Sequence, residues 1–159
     1  MDDIDKHEKH IISASAIVPA RRERVYALIA NYRDGQARIL PRQFTGLTVE
    51  QGGIGAGTVI RFQMKFLGMT RNLRAAVTEP EPGRVLVETD LDSNGFITRF
   101  TVDAGDAPAD SRVTISTEFQ VRSGIPGWIE RKVSTLLLRP IFKKELENLA
   151  RVATGPFGA

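Results

Sequence analysis

The chain has 159 residues, 42% apolar and 26% charged, which is the composition of one soluble globular domain, and no apolar run approaches the roughly 20 residues of a membrane-spanning helix. The absence of cysteine excludes disulfides, thiolate metal sites and a cysteine nucleophile. The net charge of +3, from 22 Lys and Arg against 19 Asp and Glu, is too mild to predict nucleic acid as a partner.

The N-terminal stretch MDDIDKHEKH is charged and partly acidic, unlike a secretory signal or an Arg-rich transit peptide. We therefore expect a flexible leader over residues 1–9, a single domain over 10–154 and a flexible end over 155–159. A cytoplasmic location is the default expectation for such a chain.

The first predicted elements are a strand and a helix. Residues 10–18, HIISASAIV, form a β-branched run with small residues, which is typical of a strand. A helix over about 20–31 follows, because its apolar residues recur at the spacing of one buried stripe: Val25, Leu28, Ile29 and Tyr32. A short helical turn over 36–40 ends before Pro41.

From Phe44 to Arg122 the sequence contains only strands and turns. The predicted strands cover residues 44–51, 58–67, 70–79, 84–91, 96–103 and 112–122. Short links between consecutive strands imply an antiparallel meander. Alternation of apolar and polar residues predicts that one face of this sheet is exposed and the other is apolar.

The alternation is clearest in GTVIRFQMKFLG at residues 57–68, where Ile60, Phe62 and Met64 alternate with polar residues. Successive side chains of a strand point to opposite faces, so these three share the buried face. The same rule assigns the residues of strand 84–91, with Val85, Val87, Thr89 and Leu91 on the apolar face and Glu88 and Asp90 on the exposed face.

The last predicted element is a long helix from just after Gly127 to about Val152. Its apolar residues form one stripe: Trp128, Ile129, Val133, Leu136, Leu137, Phe142, Leu146 and Leu149. A helix with one apolar stripe and a sheet with one apolar face bury these surfaces against each other. We therefore expect the helix to cover the inner face of the sheet.

Three segments resemble the START-like (SRPBCC) superfamily, also described as Bet v 1-like or as the polyketide cyclase/dehydrase and lipid-transport group. They are AIVPARRERVYALIANYRD at 16–34, AAVTEPEPGRVLVET at 75–89 and PIFKKELENLA at 140–150, within a similarity that spans 10 to about 152. The resemblance implies an α+β helix-grip fold, in which a seven-stranded curved antiparallel sheet wraps around the C-terminal helix. It also implies a cavity between them, where various members bind lipids, sterols, polyketides or plant hormones.

Strand parity predicts which strand residues line that cavity, and the long helix supplies four further candidates. From the strands these are Ile60, Phe62, Met64, Phe66, Leu73, Ala75, Val87, Thr89, Thr98, Phe100, Thr117 and Phe119; from the helix they are Trp128, Lys132, Leu136 and Arg139. The alternative is that these side chains fill the space as packed core. Arg71 shares the inward parity at the start of its strand and is the best polar candidate, at the cavity rim.

The predicted cavity contains no evident acid or base, since Glu88, Asp90, Asp92 and Glu118 fall on the exposed face and both histidines lie at or before the first strand. Tyr32 is a further polar candidate of less certain geometry. No cofactor or metal is predicted: haem lacks a histidine ligand, GGIGAG joins two strands as a turn, and the Asp90–Asp92 pair lacks the rest of a calcium loop.

The leading functional hypothesis is therefore binding or carriage of a hydrophobic small molecule. A polyketide cyclase, aromatase or dehydrase using the same cavity is the first alternative, and a protein-interaction or chaperone-regulator module is the second. Ile125 and Trp128 in SGIPGW are predicted to lie at the cavity mouth, where transient membrane contact could also involve Arg21 and Arg22. The sequence does not determine the ligand or the oligomeric state.

Overall fold

The computed structural model describes residues 7–66, 68–92, 95–122 and 124–155. Its elements, in chain order, are β1 (His7–Val18), α1 (Arg22–Ala30), α2 (Gly35–Ile39), β2 (Phe44–Gln51), β3 (Val59–Phe66), β4 (Met69–Glu81), β5 (Val85–Asp90), β6 (Ile97–Ala104), β7 (Ser111–Arg122) and α3 (Gly124–Thr154). No helix in the described ranges is both long enough and apolar enough to cross a membrane.

The seven strands form one antiparallel sheet in the order β1-β7-β6-β5-β4-β3-β2. The strands β2 to β7 are a meander, as their short connections predict, and β1 closes the order by pairing with β7. The sheet is curved and α3 lies on its inner face, so the predicted helix-grip fold is confirmed.

The first strand is longer than predicted, since β1 begins at His7 and not at residue 10. His7 is paired with Arg122 of β7, and Lys9 forms an ion pair of 3.2 Å with Glu118. Residues 7–9, expected in the flexible leader, therefore belong to the sheet.

The helix α3 has two differently placed halves. In its C-terminal half Phe142, Leu146 and Leu149 are buried in the core, whereas Val133 and Leu136 in the N-terminal half are exposed. The helix packs against β1 and β7 of the sheet and against α1 and α2. The core is therefore closed at one end of α3, and space remains beneath the other.

The corner between α1 and α2 is held close to the rest of the fold. A Cβ atom on Gly35 would lie 2.1 Å from the Leu28 carbonyl oxygen, so only glycine permits this approach. Asn148 of α3 donates a hydrogen bond of 3.0 Å to the Ile39 carbonyl. The glycine-rich loop before β3 also docks here, because the Tyr32 backbone N–H donates to the Gly53 carbonyl at 2.8 Å. These contacts hold Tyr32 in place at the end of α1.

Candidate ligand-binding site

A cavity of about 320 Å³ lies between the inner face of the sheet and α3. Small-molecule sites in proteins have volumes of roughly 300–1,000 Å³. The wall is formed by Tyr32, Gln36, Leu40, Phe44, Leu47, Ile60, Phe62, Met64, Arg71, Leu73, Glu88, Phe96, Thr98, Phe100, Ile115, Thr117, Phe119, Val133, Ser134, Leu137, Leu138, Ile141, Phe142 and Glu145.

Most of this wall is apolar, and β3 supplies its aromatic side. The Phe62 ring meets the rings of Phe44 and Phe96 edge-on, at centroid distances of 5.9 and 6.4 Å. Edge-to-face pairs of this kind add to the energy gained by burying the rings. The apolar side therefore offers a preformed surface for the body of a hydrophobic molecule.

A polar stripe also crosses the inner face of the sheet, on β5, β6 and β7. Glu88 on β5 is paired directly with Thr98 on β6, and Thr98 is paired with Thr117 on β7. Residues directly opposite each other in antiparallel strands share a face, so all three side chains face the cavity. The two threonine hydroxyls are 2.8 Å apart and hydrogen-bond each other. Glu88 is the ionisable member of the stripe.

Tyr32 meets Glu88 in the interior of the protein. The two side chains are 2% and 8% exposed, and the Tyr32 hydroxyl donates a hydrogen bond of 2.7 Å to Glu88 Oε1. Burial raises the pKa of Glu88 to about 7, and the Tyr32 hydrogen bond acts in the opposite direction. Burial, followed by the nearby Glu88 charge, raises the pKa of Tyr32 well above its ordinary value, so the phenol remains a donor.

Glu145 of α3 brings a second carboxyl to the buried end of the cavity. It is 4% exposed, and burial, followed by the charge of Glu88, raises its pKa to about 8. Arg71 is the one basic side chain among the described residues of the wall, and it is exposed. The cavity thus runs from a mouth beside Arg71 and the exposed Val133 to an acidic buried end.

Nine of the residues predicted from strand parity line the cavity: Ile60, Phe62, Met64, Arg71, Leu73, Thr98, Phe100, Thr117 and Phe119. Tyr32, the less certain polar candidate, also lines it. Ala75 lies on the same face of β4 but is packed within the core, away from the cavity wall. The side chains of Phe66, Ile125 and Trp128 lie outside the described residues.

The strand β5 presents the face opposite to the one predicted. Glu88, expected on the exposed face, lines the cavity, whereas Val87 and Thr89 lie on the outer face. Pairing with the neighbouring strands determines this, because Glu88 is opposite Val77, a buried residue of β4. Residues 85–87 are a continuous apolar run, so alternation does not determine their orientation.

The prediction of which helix residues line the cavity is also wrong for three of them. Lys132, Leu136 and Arg139 are exposed and do not line the cavity, and Leu136 is 74% exposed. The lining residues of α3 are Val133, Ser134, Leu137, Leu138, Ile141, Phe142 and Glu145. Three consecutive leucines at 136–138 are compatible with several rotations of the helix, and its packing against β1 and β7 selects one of them.

The expectation of a cavity without an acid or base is wrong, since both Glu88 and Glu145 line it. A sequence signal for Glu145 existed: it lies four residues after Ile141 and four before Leu149, which places a carboxyl on the apolar stripe of the helix.

His10 of β1 lies beside the cavity wall. Its Nε2 is 3.1 Å from Thr135 Oγ1, and its ring meets the ring of Phe119, a lining residue, edge-on.

A curved seven-stranded sheet that grips a long C-terminal helix around a cavity defines a helix-grip protein of the START-like, or Bet v 1-like, superfamily. Residues 9–154 match the model of the family described as "Polyketide cyclase / dehydrase and lipid transport", and the chain belongs to that family. No curated protein matches the chain significantly in sequence.

Solved structures show the same fold. The KanY protein is 27% identical with a TM-score of 0.80, and the match covers 93% of this chain and 99% of that one. The Zhui aromatase/cyclase from Streptomyces sp. R1128 is 13% identical with a TM-score of 0.75, covering 94% and 98%. Norcoclaurine synthase from Thalictrum flavum, solved with dopamine and hydroxybenzaldehyde, is 13% identical with a TM-score of 0.71, covering 96% and 92%.

Proposed function

We propose that this protein binds or carries a hydrophobic small molecule of lipid, polyketide or aromatic type in the cavity between the sheet and α3. The observation that carries the proposal is a cavity of about 320 Å³ whose wall is largely apolar and whose buried polar residues include Tyr32, Glu88 and Glu145. Apolar walls with a few placed polar groups are typical of small-molecule sites.

The wall favours one orientation of the bound molecule. Its apolar body would lie against Phe62 and Phe100, where burial of apolar surface contributes about 25 cal/mol per Å². Its polar end would lie at Tyr32, Glu88 and Glu145, because a polar group left in the apolar part would lose its hydrogen bonds to water. Entry would take place at the mouth beside Arg71.

Native mass spectrometry of the purified protein, followed by solvent extraction, tests whether a small molecule is carried. A fluorescent fatty acid or aromatic probe should bind saturably and be displaced by the extract. Met64→Arg places a cation in the apolar wall and should abolish probe binding. Asn72→Arg adds the same charge at an exposed position of β4 and should leave binding unchanged. Equal binding to wild type and a folded Met64→Arg variant would place the ligand elsewhere.

An enzyme of the polyketide cyclase, aromatase or dehydrase type is the second candidate, and the buried pair of Glu88 and Glu145 favours it. With pKa values raised to about 7 and about 8, one carboxyl can accept a proton while the other donates one near neutral pH. Incubation of the extracted molecule with the protein distinguishes the candidates. A carrier returns the molecule unchanged, whereas an enzyme returns a product of different mass or chromatographic retention.

The remaining hypotheses stay predictions. A protein-interaction or chaperone-regulator module would give a stable partner in pull-down experiments and no bound small molecule. Transient membrane contact would give salt-sensitive binding to anionic liposomes. The cytoplasmic location and the absence of a nucleic-acid partner are expectations from composition and charge.

A further inference from the structure

The buried end of the cavity contains more hydrogen-bond acceptors than donors. The Tyr32 hydroxyl is used by Glu88 Oε1, and the hydroxyls of Thr98 and Thr117 bond each other. The side-chain amide of Gln36 donates to the Ile29 carbonyl at 3.1 Å. Within the described ranges, no donor hydrogen-bonds Glu88 Oε2 or either oxygen of Glu145. A bound molecule could therefore meet three free carboxyl oxygens there.

Among the described residues, this end also has no cationic side chain to balance the two carboxyls. The groups facing the two carboxyls are Tyr32 from the end of α1, Gln36 from α2, and the threonines of β6 and β7, and all of these are neutral. Arg71 on β4, the basic residue of the described wall, lies at the exposed mouth and makes no ion pair with either glutamate among the described contacts. Buried carboxylates are ordinarily paired with a cation or kept protonated.

Anionic, neutral and cationic polar groups on a ligand would bind at such a site with different free energies. A carboxylate would add a third acidic group to an apolar pocket and would be repelled. A hydroxyl or carbonyl group could hydrogen-bond a carboxyl but would leave the charges unpaired. An ammonium group has three N–H donors and no acceptor, which matches the three free oxygens, and its charge neutralises an ionised carboxylate.

We propose that the cavity selects ligands with a basic nitrogen, such as primary arylalkylamines, whose ammonium group lies between Glu88 and Glu145 and whose apolar body lies against Phe62 and Phe100. This inference rests on the proposed function, because it specifies the polar end of the molecule that the cavity binds.

A cation between the two carboxyls favours their ionised forms, so binding should release protons near neutral pH. Amine affinity should increase as the pH rises through the range in which the carboxyls ionise, about pH 7 to 8. The amine itself stays charged there, since simple alkylammonium groups have pKa values of about 10. Affinity for a neutral analogue of the same shape should not increase over this range.

Isothermal titration with 2-phenylethylamine, 2-phenylethanol and 3-phenylpropanoate tests the inference, because the three differ mainly in charge. At about pH 8.5 the amine should bind at least about tenfold more tightly than the alcohol, and the carboxylate most weakly. At about pH 6 the gap between amine and alcohol should shrink to about threefold or less. Titrations at neutral pH in buffers of different ionisation enthalpy should show proton release with the amine only.

Glu145→Gln keeps the shape of the side chain and removes its charge. It should weaken amine binding about tenfold or more at alkaline pH while leaving alcohol binding within about twofold. Glu88→Gln should have a similar effect. Glu147→Gln is the matched control, since Glu147 lies on the same helix but is exposed, and it should change neither affinity.

The outcomes separate this inference from the proposed function. Equal binding of amine and alcohol by wild type at both pH values would overturn the inference and leave the hydrophobic site intact. Failure of the three compounds and of the fluorescent hydrophobic probe to bind would overturn the proposed function as well. The wild-type comparison is decisive even if the glutamine variants do not fold.

Discussion

The Tyr32 hydroxyl donates a hydrogen bond of 2.7 Å to Glu88 Oε1, which joins the end of α1 to the middle of β5 inside the cavity. The bond stabilises the ionised form of Glu88 and opposes the effect of burial on its pKa. Glu145 has no such partner among the described residues, and its pKa is raised further, to about 8. The Tyr32 hydrogen bond, which lowers the pKa of Glu88, and the Glu88 charge, which raises the pKa of Glu145, make the two buried carboxyls unequal, so Glu88 ionises at the lower pH.

Replacing Tyr32 with Phe should raise the pKa of Glu88 above its value of about 7, because the hydrogen bond that lowers it is lost. At alkaline pH the unpaired buried carboxylate should also reduce the free energy of unfolding by about 1–3 kcal/mol. Carboxyl-carbon NMR titration measures the pKa, and urea unfolding measures the stability. Tyr26→Phe is the control, since it removes a bond of 2.7 Å to Glu79 outside the cavity and should not change the Glu88 titration.

Stability should fall as the pH rises from about 4.5 to about 8. The folded-state pKa values of Glu88 and Glu145 are raised to about 7 and about 8, so the folded protein holds more protons than the unfolded chain across this range. Glu145→Gln should remove on the order of 4 kcal/mol of the decrease, because its pKa is raised from 4.5 to about 8. Urea unfolding at a series of pH values checks the slope. A stability that increases over the range in wild type would contradict the buried acid pair.

Truncation of Phe62 should cost less stability than truncation of a core leucine. Phe62 borders the cavity, so part of its ring already lies against open space, and Phe62→Ala should cost less than the roughly 3–5 kcal/mol of a fully packed phenylalanine. Leu149 is also buried but does not line the cavity, and Leu149→Ala should cost about 2–5 kcal/mol. Urea unfolding of both variants measures the two losses of stability. A larger cost for Phe62→Ala than for Leu149→Ala would indicate packed core at Phe62.

Gly35→Ala should destabilise the protein by about 1–3 kcal/mol, since the added methyl group would lie 2.1 Å from the Leu28 carbonyl oxygen and would push α2 away from α1. Thermal and urea unfolding measure the loss. Ala37→Ser, at an exposed position of the same helix, should change stability by no more than about 0.5 kcal/mol. Equal stability of the two variants would show that the corner is free to move.

The apolar lining could be predicted wherever a strand alternates strictly. In β3 apolar and polar residues alternate from Ile60 onwards, and the inward positions of Ile60, Phe62 and Met64 follow directly. In β5 the consecutive apolar residues 85–87 leave both faces possible. Pairing with Val77 and Thr98 then turns Glu88 inwards. The sequence of a strand determines which of its side chains face the core only when strict alternation of apolar and polar residues excludes the opposite orientation.

The amino-acid sequence by itself determined the element order, the antiparallel meander and the covering of its apolar face by the final helix, because these depend on local periodicity and on the need to bury apolar surface. Only the tertiary structure decided that two glutamates meet in the cavity. Glu88 and Glu145 lie on different elements, far apart in the chain, and only the strand register and the rotation of α3 bring both carboxyls into the same cavity. Their raised pKa values come from burial, which no stretch of sequence contains until the chain has folded.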